Sequence, residues 1–209
     1  EHQEVWNALD QYLTDTEFKH ARGITIPITS CFIDCGAWQD RVLDYTTSRM
    51  HRRIYGSKGF DRGPLTGDPR PAGNHNQHIF VPIGKDRANE RLLQLLNDTI
   101  SDKDEVPKIH FNFNMQEDYF EQLTNIRKET TWASGMPRSK WVYRDRNSRR
   151  EILHMWTYNL AALYFAKVDW AEVAKSFDSV VEEMKNPKSA EQEKSSTDRF
   201  MGPNKDWNP

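Results

Sequence analysis

The chain has 209 residues, a net charge of −2, 36% apolar and 29% charged residues, and seven Trp, seven Tyr and ten Phe. A chain of this length can bury roughly 70% of its unfolded surface, so wholesale disorder is excluded. A uniformly basic nucleic-acid binder is excluded too: a polyanion would have to meet a local patch. No run of about 18 apolar residues and no secretory leader is visible, which predicts a soluble protein with no membrane partner.

In chain order, Val5, Trp6, Leu9, Tyr12 and Leu13 recur at helical spacing over residues 4–18, with Gly23 as a stop. Residues 28–34, Ile-Thr-Ser-Cys-Phe-Ile-Asp, read as a buried strand beginning after Pro27. A strand sets Cys31 and Cys35 about 13 Å apart, too far for a disulfide, and a reducing cytoplasm follows as the expected compartment. Residues 37–53 place Trp38, Val42, Tyr45 and Met50 on one helical face, and residues 54–59 form the next strand, completing a β-α-β unit. Residues 60–78, rich in glycine and proline, predict a long loop. A strand at 79–84 and a leucine-rich helix at 85–99 follow, then an acidic turn at 102–107 and a strand at 108–113.

Tyr119, Phe120, Leu123 and Ile126 predict a helix over 116–129. The β-rich runs 129–135 and 139–145 flank Gly-Met-Pro-Arg as a hairpin. Two amphipathic helices, 149–166 and 169–185, come next, the second capped by Asp169. From Asn186 the composition turns polar and poor in aliphatics, predicting a flexible tail at 186–209 after a domain at 1–185. Alternating strands and helices predict an α/β fold. The chain opens Glu1-His2 without a methionine, as a piece of something longer would.

Three constellations carry candidate chemistry. Asp34 closes a β-branched run directly before Cys35-Gly36, at the carboxyl end of what reads as a central strand, where ligand crevices form in α/β sheets; capping the next helix is its alternative role. Glu151 and His154 stand three apart at the head of a helix, a spacing that presents two metal ligands on one face. A favourable charge at the helix N-terminus and a hydrogen-bonded boundary histidine are the plainer explanations. Arg138, Lys140, Arg144, Arg146, Arg149 and Arg150, with Trp141 and Tyr143 between them, form a basic run fit for phosphates or for a solvated face. Lys58 is a further polar residue at a strand end. The other histidines show no zinc spacing, and neither Gly-x-x-x-x-Gly-Lys-Ser/Thr nor Gly-x-Gly-x-x-Gly occurs, which argues against ATP binding.

The segments 5–36, 55–59, 81–92, 109–124 and 149–166 succeed one another in an order that resembles the nuclease domain of the large terminase subunit of lambda-like tailed phages. The resemblance implies an RNase H-like mixed sheet flanked by helices and a metal-dependent endonuclease that cuts concatemeric viral DNA, preceded by an ATPase motor. It implies catalytic and metal-ligating roles for Asp34 and Glu151, and matches Lys58 and Asp86 to the family's Lys-Gly and Gly-x-Asp positions. The sequence departs from the pattern where His154 replaces an aspartate, Arg150 an Asn and Asn89 a Lys, and where the family's first strand with its aspartate is not found.

Magnesium or manganese is the implied cofactor, with His154 completing the set as metal ligand or general base. Lys58 and the six cations of the basic run would hold DNA. Double-stranded DNA, the small terminase subunit and, through Phe200, Met201 and Trp207 of the tail, the capsid portal are the implied partners, in the cytoplasm of the bacterial host. The second reading is a prophage remnant that binds DNA or packaging partners without cleavage.

Overall fold

The computed structural model describes residues 3–19, 24–73, 75–101 and 106–185; the proposed stop at Gly23, most of the acidic turn and the tail lie outside the described residues. In chain order the elements are α1 (Gln3–Asp15), β1 (Glu17–Lys19), β2 (Thr25–Pro27), β3 (Cys31–Asp34), α2 (Gln39–Thr47), a 3-10 turn (Met50–Arg52), β4 (Ile54–Phe60), β5 (Arg70–Ala72), β6 (His75–Gly84), α3 (Lys85–Ile100), α4 (Glu117–Leu123), β7 (Arg127–Ala133), β8 (Met136–Val142), α5 (Glu151–Phe165) and α6 (Trp170–Lys185). They fall into two units, Glu1–Thr16 with Pro27–Lys167, and Glu17–Ile26 with the segment from Val168 onward.

The first unit is built on a mixed sheet of order β3-β4-β6-β5 flanked by helices, as expected. β3, β4 and β6 run parallel, with Asp34 opposite Ser57 and Ser57 opposite Val81, while β5 is antiparallel to β6. The β3-α2-β4 unit is present as read. β3, however, is half-buried and at the edge of the sheet among the described strands, not central and fully buried, because it is only four residues long and pairs with β4 alone.

Side chains alternate across a strand, and this sorts the two faces. Ile54 packs with Leu13 and Tyr45, and a Cβ on Gly56 would meet Leu43 Cδ2 at 2.7 Å, so this face carries α1 and α2. On the opposite face Phe32 and Tyr55 pack against Phe165 of α5. There Leu92 and Leu95 of α3, Leu123 of α4 and Leu153 and Leu160 of α5 form the largest apolar cluster, with Ile126.

α1 buries Trp6, Leu9 and Leu13 and leaves Val5 and Tyr12 exposed. Trp6 stacks on Tyr45 with centroids 4.6 Å apart. Beside that stack, Asp10 Oδ1 accepts from Arg49 Nε and Arg52 Nη1, each at 2.9 Å, tying α1 to the end of α2 and the turn after it. The hydrogen bond from Arg49, aided by the nearby charges of Arg49 and Arg52, holds the Asp10 pKa below its ordinary value. The ion pairs therefore stabilise fully above the ordinary aspartate pKa, and the benefit fades as pH falls through the lower folded value. Asp10→Asn is expected to cost on the order of 1 kcal/mol at neutral pH, with the two melting curves converging in strong acid; a gap unchanged by acid would refute the charge pairing.

Four expectations need correction. α2 ends at Thr47, not at 53: Thr47 Oγ1 and Ser48 Oγ bond back to Leu43 O and Tyr45 O, and Arg53 adopts a left-handed φ of 57°. Residues 108–113 form no strand; Ile109 and Phe111 pack inward while Ile109 N donates to Thr99 Oγ1, so alternation served packing and not pairing. The helix begun at Glu117 stops at Leu123, because Asn125 turns inward to bond the Asp145 backbone in both directions, and β7 starts at Arg127. Likewise α1 ends at Asp15 and residues 17–19 are extended.

The loop at 60–78 is also more ordered than composition suggests. β4 runs on to Phe60, β5 and the start of β6 lie within it, and Gly67 N donates to Pro82 O while Gly84 N donates to Pro64 O, both at 2.9 Å. A Cβ on Gly84 would stand 2.4 Å from Pro64 O and 2.5 Å from Gly63 O, so only glycine fits. The β7–β8 hairpin turns at Ser134 and Gly135, with φ 52° and 74°, so only the Gly of the Gly-Met-Pro-Arg stretch is in the turn while Met136–Arg138 enter β8; positive φ at both positions matches the twist of a two-residue hairpin. In the second unit β1 pairs with β2, and Asp169 Oδ1 accepts from the N–H groups of Ala171 and Glu172, capping α6 as read.

Candidate functional site

Asp34 ends β3 on the α5 face of the sheet, at the carboxyl end of the three parallel strands. It does not cap α2, whose N-cap Trp38 sits at a left-handed φ of 57° without a side-chain cap. Instead Asp34 Oδ1 accepts from Gly36 N at 2.9 Å, closing a tight turn, and from Tyr158 Oη at 2.7 Å. Oδ2 has no hydrogen-bond partner among the described residues. The strand tip thus meets α5 at Tyr158, two turns along from Glu151.

Burial, then the hydrogen bond to the Asp34 carboxylate, pushes the Tyr158 phenol far above its ordinary range, so it stays a donor at every physiological pH. Tyr158 escaped the sequence reading, although it lies four residues after His154 and seven after Glu151, on the same helical face. Glu151 is about 10 Å back along the axis from Tyr158 at 1.5 Å per residue.

Glu151 Oε2 accepts from Arg150 N at 3.0 Å. Hydrogen bonds from its own and the Arg150 backbone N–H groups, aided by the Arg149 charge, lower its pKa. Its carboxylate therefore serves the free amides at the head of α5. His154 retains an exposed edge, with Nε2 3.4 Å from Tyr143 Oη. Burial of the ring and the charges of Arg150 and Lys85 lower its pKa against the opposing pull of Asp34 and Glu151, leaving the imidazole neutral at pH 7. Among the described residues no three His, Cys, Asp or Glu side chains gather closely enough to hold a metal ion.

Lys58 projects to the α2 face, opposite Asp34, with Nζ 3.4 Å from Gln39 Oε1. The lysine that reaches the Asp34 face is Lys85, also missed from sequence: its stem crosses Gly59, where a Cβ would meet Cδ at 3.0 Å, and Nζ pairs with Asp61 Oδ1 at 3.1 Å. Its position directly after the strand-ending Gly84 was the available signal. Burial raises the Cys31 thiol to about 11, which removes it as a nucleophile at neutral pH.

The basic run occupies β8 and the loop into α5. Arg138 and Lys140 are exposed on one face of the hairpin, opposite Thr131 and Glu129. Arg144 Nε donates to Ile126 O, and the Arg150 guanidinium stacks over the Tyr143 ring, 4.2 Å from its centroid. None of Arg138, Lys140, Arg144, Arg146, Arg149 and Arg150 has an acidic partner within 4.0 Å among the described residues. Asp145, the acid among them, is consumed by Asn147 N and Ser148 Oγ. An open groove lined by Arg62, Asp86, Arg87, Lys128 and Trp141 lies beside the hairpin.

No curated protein and no solved structure matches the chain. A family model described as the endonuclease domain of the terminase large subunit gpA matches residues 1–177. The match spans β3 with Asp34, the basic run of β8 and its following loop, and α5 with Tyr158, and the chain belongs to the terminase large subunit gpA endonuclease family.

Proposed function

We propose that this chain is a divalent-metal-dependent endonuclease that cuts concatemeric phage DNA during genome packaging, on an RNase H-like scaffold and in the cytoplasm of the bacterial host. The observation that carries this reading is the meeting of Asp34 and Tyr158 at the carboxyl ends of the parallel strands, with His154 and Lys85 close by. Double-stranded DNA is the substrate, the small terminase subunit a partner, and the tail after residue 186 the contact to the capsid portal.

Magnesium takes one or two carboxylates and completes its octahedron with phosphate oxygens and water. Asp34 Oδ2 would offer one such ligand, and the neutral His154 imidazole, which manganese accepts more readily, a second, while Glu151 stays engaged at the head of α5. When bound, such a cation polarises the scissile phosphate. The chain's own part is separate from that. Tyr158 Oη fixes the Asp34 carboxylate in one orientation. His154, neutral at pH 7, is able to take a proton from an attacking water. Lys85 exchanges Asp61 for a DNA phosphate and the six cations of the basic run hold the backbone beside it, whereas Lys58, on the α2 face, takes no part in that grip.

Supercoiled plasmid incubated with the protein and magnesium or manganese is expected to convert to nicked and linear forms, and a chelator to stop the conversion. The absence of any three-ligand group among the described residues favours a second reading, a module that binds DNA without cutting it. Plasmid retained in a gel-shift assay yet intact with either metal would select that reading over the first.

A further inference from the structure

The β7–β8 hairpin carries an exposed aromatic side chain beside its turn. Trp132, next to the turn, is 75% exposed, and Met136 across it is 68% exposed. No ring packs on Trp132 among the described residues, while Trp141 at the other end of the ribbon joins the core cluster. A single exposed apolar residue on a surface is unremarkable in itself. What marks this one is its electrostatic setting.

From Arg127 to Arg150 the chain has eight Lys and Arg against two acids, a net +6 in a molecule whose total is −2. Of the hairpin's own cations, Arg127 is paired with Glu129 and Lys128 with Glu90, but Arg138 and Lys140 are free of acidic partners among the described residues. The register places Met136, Arg138 and Lys140 on one face and Trp132 on the other, beside Pro137 and in line with Lys128. The positive excess repels a second copy of the same surface, and protein interfaces are depleted in lysine. It attracts a polyanion. A two-stranded ribbon is narrow enough to enter a groove of duplex DNA, and apolar side chains at such tips insert against base steps.

We propose that the β7–β8 hairpin is a DNA-groove probe, in which Trp132 stacks against a base of double-stranded DNA while Arg138 and Lys140 hold the neighbouring phosphates. The inference rests on duplex DNA as partner and not on cleavage, so its fate is separable from that of the endonuclease reading. The two kinds of contact differ in their salt dependence. Phosphate contacts release counterions and set the slope of affinity against salt; stacking on a base does not.

The test is fluorescence anisotropy with a labelled duplex between about 50 and 200 mM salt, using the full chain and variants whose melting temperatures match it. Trp132→Ala is expected to weaken binding at least about fivefold with an unchanged salt slope, and Trp132→Phe to restore most of the loss. Arg138→Ala with Lys140→Ala should weaken binding and flatten the slope by about two contacts. Wild-type affinity in Trp132→Ala, a slope that falls in that variant too, tighter binding to the single strand than to the duplex, or no duplex binding by the full chain would each overturn the proposal. Duplex binding with the Trp132 effect but no plasmid cleavage would leave it standing and remove only the endonuclease reading.

Discussion

Asp34→Ala is expected to lower plasmid nicking at least about a hundredfold, the scale of losing several kcal/mol of transition-state charge stabilisation, while affinity for duplex DNA stays within about a factor of two, since one phosphate contact sets roughly one unit of salt slope and Asp34 makes none of them. Asp34 is exposed, so its loss opens no cavity. The phenol of Tyr158 loses its acceptor, but Oη also lies near the Gly59 backbone and retains that neighbour. Asp34→Asn sharpens the result. It keeps an oxygen for Tyr158 and Gly36 N to donate to, so the turn survives while the negative charge does not. Equal loss in both variants would assign the effect to charge; undiminished nicking in Asp34→Ala would remove this carboxylate from the chemistry altogether.

Leu153→Ala is expected to destabilise the first unit by about 3–5 kcal/mol, the upper part of the range for truncating a buried leucine. Leu153 is 1% exposed and lies in one cluster with Leu92 and Leu123, which are fully buried. Three helices meet there, α3, α4 and α5, and a gap between helices held on three sides has little room to collapse. Urea unfolding reads the effect as a lower midpoint with an unchanged slope. Leu163→Ala on the same helix is the control: at 42% exposure it should cost no more than about 0.5 kcal/mol. If both leucines cost the same, the described packing of α5 is wrong. Because His154 and Tyr158 ride on α5, a Leu153 variant that stays folded should also lose the Asp34 contact before it loses its helix.

Periodicity made most of the α/β order legible. α5, Glu151–Phe165, falls inside the helix read at 149–166, and β3-α2-β4 emerged from a β-branched run followed by an amphipathic one. What stayed hidden were decisions made by single polar side chains. Thr47 and Ser48 ended α2 through their hydroxyls, and Asn125 ended α4 by reaching across to Asp145, choices that spacing alone does not express. The same holds at the site. Asp34 was visible because a carboxylate before glycine at a strand end is unusual, but its partner was sought at the head of α5 and found two turns further on, in a tyrosine that reads from sequence as core. Lys85 was hidden among the charges of a helix head; only the closeness of its stem to Gly59 distinguishes it from Arg87 or Arg91. The side of the sheet on which Lys58 falls depends on the parity of β4, and Gly56 against Leu43 settles that only in three dimensions.

The fit of Gly84 beneath the carbonyls of Gly63 and Pro64 couples two parts of the molecule that composition would treat separately. Arg62, Gly63 and Pro64 form one bank of the groove, and Gly84 hands directly on to Lys85. A single methyl added at position 84 would therefore push on the Gly63–Pro64 turn and on the end of β6 from which α3 and Lys85 start, touching both at once.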